Sequence, residues 1–171
     1  MAVYVVDFQA FKTLYNEYLL KEVAIVNVHT DAVYQWTVRP HTSYYRLTPK
    51  MQSRVRFLTD HVHGIPWCAG YIDERDVIEL MQNILKNASS LYIKGTERVK
   101  YLANMLRMYR SVTVFDINGL EESTLQQYRE KISDIRCKFD SAKHKKLRCA
   151  LEQATRYRDM LRREFYYVST Y

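Results

Sequence analysis

The chain predicts a mixed α/β fold in which an antiparallel meander of strands is followed by parallel strands, with helices on both faces of the sheet. Three observations carry this. The first forty residues hold three β-branched, strand-like runs, and the residues after them alternate helical-period segments with short apolar runs. With 171 residues, 47% of them apolar, the chain is long enough to bury one substantial core. Only four Gly and three Pro are present and no Gly/Ser-rich or Pro-rich run marks a linker, so one domain spanning residues 1–171 is expected.

The elements follow in order. "VYVVDF" is a short β-branched run ending in Asp7 and suits a buried strand. "KEVAIVNVHT" and "AVYQWTVRP" read as two further strands separated by "DA", a hairpin length, although the turn lacks Gly. "TPKMQSRVRFLTDHV" opens with Thr48 as N-cap and Pro49 at the first helical position, so it predicts a helix. "DERDVIELMQNILKNA" places Val77, Leu80, Met81, Ile84 and Leu85 at helical spacing. "SSLYIKG" then reads as a strand, "TERVKYLANMLRMY" as a helix and "SVTVFDI" as a strand. Two more helices are expected, over about residues 121–133 and 145–164.

The formal charge is +7 and the isoelectric point near 9.3, which favours acidic partners such as nucleic acid but says nothing of fold. Nearly all the excess lies between Arg129 and Glu164, where twelve Lys/Arg stand against six Asp/Glu. A solvated helical face is the plainer account of such a run. The opening "MAVYVVDFQAF" has neither the basic start nor the long apolar core of a signal peptide, and no run of about 18 apolar residues could span a bilayer. An intracellular protein, nuclear or cytoplasmic, with no membrane partner is expected. Three cysteines without framework spacing fit reduced thiols.

Several local stretches, in order, resemble the RNase H-like 3′–5′ exonucleases of the DEDDh type. Asp7-Phe8-Gln9 stands where that family ends its first strand in Asp-x-Glu, and "KEVAIV" from Lys21 to Val26 is similar to its second strand. "YQWTVRP", "HVHGIPW", "IKGTERVKYLANML", "SVTVFDINGL" and "RCALEQA" are similar to its later motifs, so the likeness spans almost the whole chain. The resemblance implies an RNase H-like sheet. It also implies a catalytically degenerate site, because of the four acidic positions only Asp7 remains. Gln9 stands at the second, Arg98 or a shifted Glu97 at the third, and Gln153 at the fourth, while Arg148 replaces the general-base His. Two-metal hydrolysis needs anionic oxygen ligands and a base that can lose its proton, so no enzyme is expected. Asp116 or Glu97 could restore a single metal position under a shifted register.

A second constellation is Cys137, His144 and Cys149, which His61, His63 or Cys68 could complete as a tetrahedral zinc site. The Maelstrom domain, another RNase H-like fold, is similar in holding such a structural zinc. Buried free cysteines and a surface His are the simpler account, and no other cofactor is expected. Fifteen tyrosines, among them Tyr44, Tyr45, Tyr157, Tyr166, Tyr167 and Tyr171, interleave with basic residues in the manner of single-strand binders, and equally of protein interfaces. The resemblance and the charge together imply a non-catalytic exonuclease-like module contacting RNA or single-stranded DNA, in small-RNA or transposon silencing. Lys143, Lys145, Lys146, Arg148, Arg156 and Arg158 are the candidate phosphate contacts. A protein-binding scaffold without nucleic acid and an active metal-dependent exonuclease are the alternatives.

Overall fold

The computed structural model describes residues 2–119 and 149–168 of the chain. Six strands form one sheet in the order β4-β3-β2-β1-β5-β6: β1 (Ala2–Lys12), β2 (Tyr18–Asn27), β3 (Val33–Arg39), β4 (Ile72–Asp73), β5 (Ala88–Ile93) and β6 (Thr113–Asp116). The first three pair antiparallel as a meander, while β5 joins β1 and β6 joins β5 in parallel. This is the mixed sheet, antiparallel meander first and parallel strands after it, that the sequence predicts. The helices are α1 (Pro49–Leu58), α2 (Glu74–Leu85), α3 (Thr96–Met105) and α4 (Ala150–Val168).

Both faces of the sheet are covered, because β1 and β2 send alternate side chains to opposite sides. On one side Val6, Phe8, Val23 and Ile25 pack with Val77, Met81 and Leu85 of α2 and with Leu102 of α3. On the other Val5, Ala24 and Val26 meet Ala150, Ala154, Met160 and Leu161 of α4. The α2 residues named from helical spacing split as amphipathicity requires, with Val77, Met81 and Leu85 buried and Leu80 exposed. Thr48 caps α1 as expected, its hydroxyl accepting from the Met51 N–H at 3.3 Å.

Four features depart from the sequence reading. The β2–β3 connection spans residues 28–32, not "DA", because the Asn27 side chain accepts from the N–H groups of His29 and Thr30 and so draws the chain out of the ladder. β1 runs on to Lys12, and a tight turn held by the Thr13 hydroxyl, with Asn16 at φ +63°, closes the β1–β2 hairpin. The two-residue β4 adds a sixth strand where five were expected, held by Val38 and Arg39 of β3. Gly70, just before it, has φ +125°, and a Cβ there would fall 2.3 Å from the Val38 carbonyl carbon. The last helix starts at Ala150, and the helix expected over 121–133 lies outside the described residues. No helix among the described residues is long and apolar enough to cross a membrane.

Candidate functional site: a basic cavity at the strand ends

The parallel ladder between β1 and β5 stops at Val5↔Tyr92, although β1 continues for seven more residues. Beyond that point the sheet opens, and a cavity of about 460 Å³ lies past the carboxyl ends of β5 and β6, against the middle of β1. This is where open α/β sheets generally receive ligands. Asp7 and Gln9, two residues apart on one face of β1, form its floor. Lys94 and Arg98 come from the β5–α3 junction, Asn118 from the turn after β6, and Gln153, Arg156 and Tyr157 from one face of α4.

Among the described residues, three cations therefore face one carboxylate. Asp7, only 3% exposed, is ion-paired with the Arg98 guanidinium, which also lies over the Phe8 ring at 4.8 Å. Arg156 pairs with Glu152 one turn earlier on α4, and its buried Nε donates to no acceptor among the described residues. Lys94 is exposed and has no ion pair among the described residues. Asp116 fixes the rim. Burial opposes ionisation there, but the N–H groups of Gly95 and Asn118 and the Thr96 hydroxyl outweigh it and hold the carboxyl below its ordinary pKa.

Of the residues singled out in the sequence, Asp7, Gln9, Arg98, Gln153 and Arg156 meet in this cavity. Glu97 does not; its side chain is 73% exposed and pairs with Lys12, which also holds its carboxyl below the ordinary pKa. Asp116 is turned to the backbone of the β5–α3 junction. Arg158 pairs with Asp159. Arg148, Lys143, Lys145 and Lys146 lie outside the described residues, as do Cys137 and His144. Cys149 is buried with its Sγ 3.5 Å from Glu22, while His63 packs edge-on against Phe11 and accepts from the Ile65 N–H through Nδ1. Cys149 lies in the cluster beneath α4, whereas Phe11, on which His63 packs, belongs to another, and among the described residues no three His, Cys, Asp or Glu side chains gather as a metal site.

Two buried charges in "KEVAIV" escaped the sequence reading. Lys21, 1% exposed, donates to the carbonyl oxygens of Val38 and Trp67 at 2.7 and 2.9 Å and to that of Ala69. Burial lowers its pKa to about 8, with the nearby Cys68 acting weakly in the opposite direction. Glu22, fully buried, accepts from the Ala150 N–H at 2.8 Å and from Gln35 Nε2 at 2.7 Å. It thereby seats the positive end of α4 on the sheet. A lysine and a glutamate at the start of a strand give no signal of this, since their partners lie 13 to 128 residues away.

Residues 94–170 match the family described as Ribosomal protein L10. No curated protein matches the chain. The family match covers under half of the sequence, yet it takes in every cavity residue except Asp7 and Gln9. It overturns the resemblance to DEDDh exonucleases and to the Maelstrom domain. Three of the five supposed catalytic positions, Arg98 or Glu97, Arg148 and Gln153, fall inside the stretch that is similar to a ribosomal protein, as does "SVTVFDINGL". The physical reason for the misreading is that short apolar strand and helix patterns recur across α/β folds, so motifs of that length carry topology and not function. The exonuclease-like binding module, its placement in small-RNA or transposon silencing, the nucleic-acid-free scaffold and the active exonuclease are corrected with it.

Proposed function

We propose that this protein works in translation as an RNA-contacting component of the ribosome or of a ribosome-bound particle, with ribosomal RNA and neighbouring proteins as partners. The observation that carries the reading is the similarity of residues 94–170 to Ribosomal protein L10, a stretch that also supplies all three cations of the cavity. The net charge of +7 supports the same reading, because a basic surface gains affinity for phosphate by releasing condensed counterions. The role is one of binding and not of catalysis. Among the described residues the one carboxylate that lines the cavity is engaged by Arg98, which argues against its use as a general base there. Such a setting is cytoplasmic.

Co-sedimentation with ribosomes and titration of labelled ribosomal RNA test this. Binding is expected to weaken roughly a hundredfold or more between 50 and 200 mM salt if about five phosphates are contacted. Absence from the ribosomal fractions, together with no RNA binding at low salt, would remove the reading.

A further inference from the structure

We propose that the cavity at the strand ends is a metal-independent site for the phosphate and ribose of one ribonucleotide. The inference deepens the RNA reading above and rests on it for the source of the ligand. The recognition itself is argued from the cavity.

The charge comes first. Among the described residues, Lys94, Arg98 and Arg156 line one space with a single carboxylate, so an anion is the ligand the field favours. Guanidinium groups offer paired N–H donors at the spacing of phosphate oxygens, and the Arg156 Nε is a buried donor with no acceptor among the described residues. A buried donor without an acceptor is unfavourable, so an oxygen placed there would recover that loss.

The size comes second. About 460 Å³ lies within the usual range of small-molecule sites and is far more than a bare phosphate needs. The rest of the space is bordered by the amides of Gln9, Asn118 and Gln153, each of which both donates and accepts. Ribose hydroxyls are of the same double character, and the 2′-hydroxyl is the group that marks RNA.

Divalent cations are poorly served here. Asp7 already holds the Arg98 guanidinium, and the remaining side-chain oxygens of the described wall are the neutral amides and the Tyr157 hydroxyl, weak ligands for a hard cation. The cationic side chains supply the charge that a metal would otherwise bring, which predicts binding that neither EDTA nor Mg²⁺ alters.

The full chain is titrated calorimetrically with AMP, with adenosine, and with a short RNA bearing or lacking a 5′-phosphate, in EDTA and again in Mg²⁺. Binding of AMP or of the phosphorylated RNA is expected, unchanged by EDTA, with adenosine at least about tenfold weaker. Arg156→Gln and Lys94→Gln should each lower affinity by about tenfold or more, while Lys50→Gln, on exposed α1 and equal in charge change, should not. Lys94 is exposed, so its variant stays folded and keeps the test meaningful if Arg156→Gln does not. Binding of the RNA and not of AMP would place the ligand within a strand. Equal binding of AMP and adenosine, or binding abolished by EDTA, would overturn the proposal. So would ribosomal RNA binding that the two cavity variants leave unchanged, although the ribosomal reading would survive it. Cavity-dependent AMP binding without any ribosomal RNA binding would uphold the site and remove that reading.

Discussion

Lys21, buried in the fold, and the three cations that line the cavity show two different uses of positive charge. Lys21 sits among three carbonyl oxygens contributed by β3 and by the loop before β4, and each ammonium hydrogen has its acceptor. Arg98 and Arg156 are each engaged by one carboxylate, Lys94 by none among the described residues, and all three face open space. A saturated cation fastens structure, whereas an undersaturated group of cations around a cavity leaves donors for something else. Substitutions should therefore separate the two regions, with Lys21 changing stability and the cavity changing binding.

The largest effect is expected at Lys21. Lys21→Met removes three donors and leaves the carbonyls of Val38, Trp67 and Ala69 without them in a dry interior, which should cost about 4 kcal/mol at pH 7 in urea unfolding. Its folded pKa, about 8, lies below the ordinary 10.5, so the part of stability linked to its deprotonation is full above 10.5 and is lost as pH falls through 8, whereas the hydrogen bonds of the charged form persist below it. Wild-type stability should accordingly rise between pH 8 and 9.5, and the Met variant should lose that slope. A variant as stable as the parent would mean that water satisfies the carbonyls, and the contrast with the cavity would collapse.

Glu22 comes next. Its carboxylate accepts from the first N–H of α4 and from Gln35, so Glu22→Ala should cost about 2–3 kcal/mol. Glu22→Gln should cost less, since an amide oxygen can still accept. Hydrogen exchange should locate the loss in α4, whose first residues rest on this side chain. Uniform loss of protection across the sheet, with α4 no worse than β5, would show that Glu22 supports the sheet and not the helix.

The legibility of these regions in the sequence differs for a physical reason. Alternation and helical spacing are properties of neighbouring residues, so β1, β5, α2 and the Thr48 cap of α1 could be read directly. The five-residue turn around Asn27 and the two-residue β4 depend on a side chain bonding its own backbone and on a single close approach at Gly70. Lys21 and Glu22 are further from reach, because what makes them tolerable inside is supplied by segments distant in sequence. Asp7, Gln9, Arg98, Gln153 and Arg156 could be named in advance, since strand ends and a helix face converge once the strand order is right. What they do could not, and short motif likeness pointed to the wrong family.

Arg98 lies between the two regimes, and its removal should show it. Arg98→Ala takes the guanidinium from a 3% exposed Asp7 and from the Phe8 ring, for a loss of about 1–2 kcal/mol. Asp7→Asn in the same background should recover part of it, because a neutral amide is less costly than a carboxylate in that position. A double variant no more stable than Arg98→Ala would mean that Asp7 does not depend on this ion pair.

Lys94 gives the smallest change in stability and the sharpest test of the contrast. It is exposed at the β5–α3 junction and has no ion pair among the described residues, so Lys94→Ala should move unfolding by less than about 0.5 kcal/mol. Its ammonium nevertheless stands at the edge of the cavity beside Arg98, where it adds to the local field without contributing to the fold. One phosphate contact fewer should lower the slope of log affinity for ribosomal RNA against log salt by about one. A measurable loss of stability with an unchanged salt slope would reverse the assignment, making Lys94 a structural residue like Lys21 and leaving the cavity's excess charge to Arg98 and Arg156 alone.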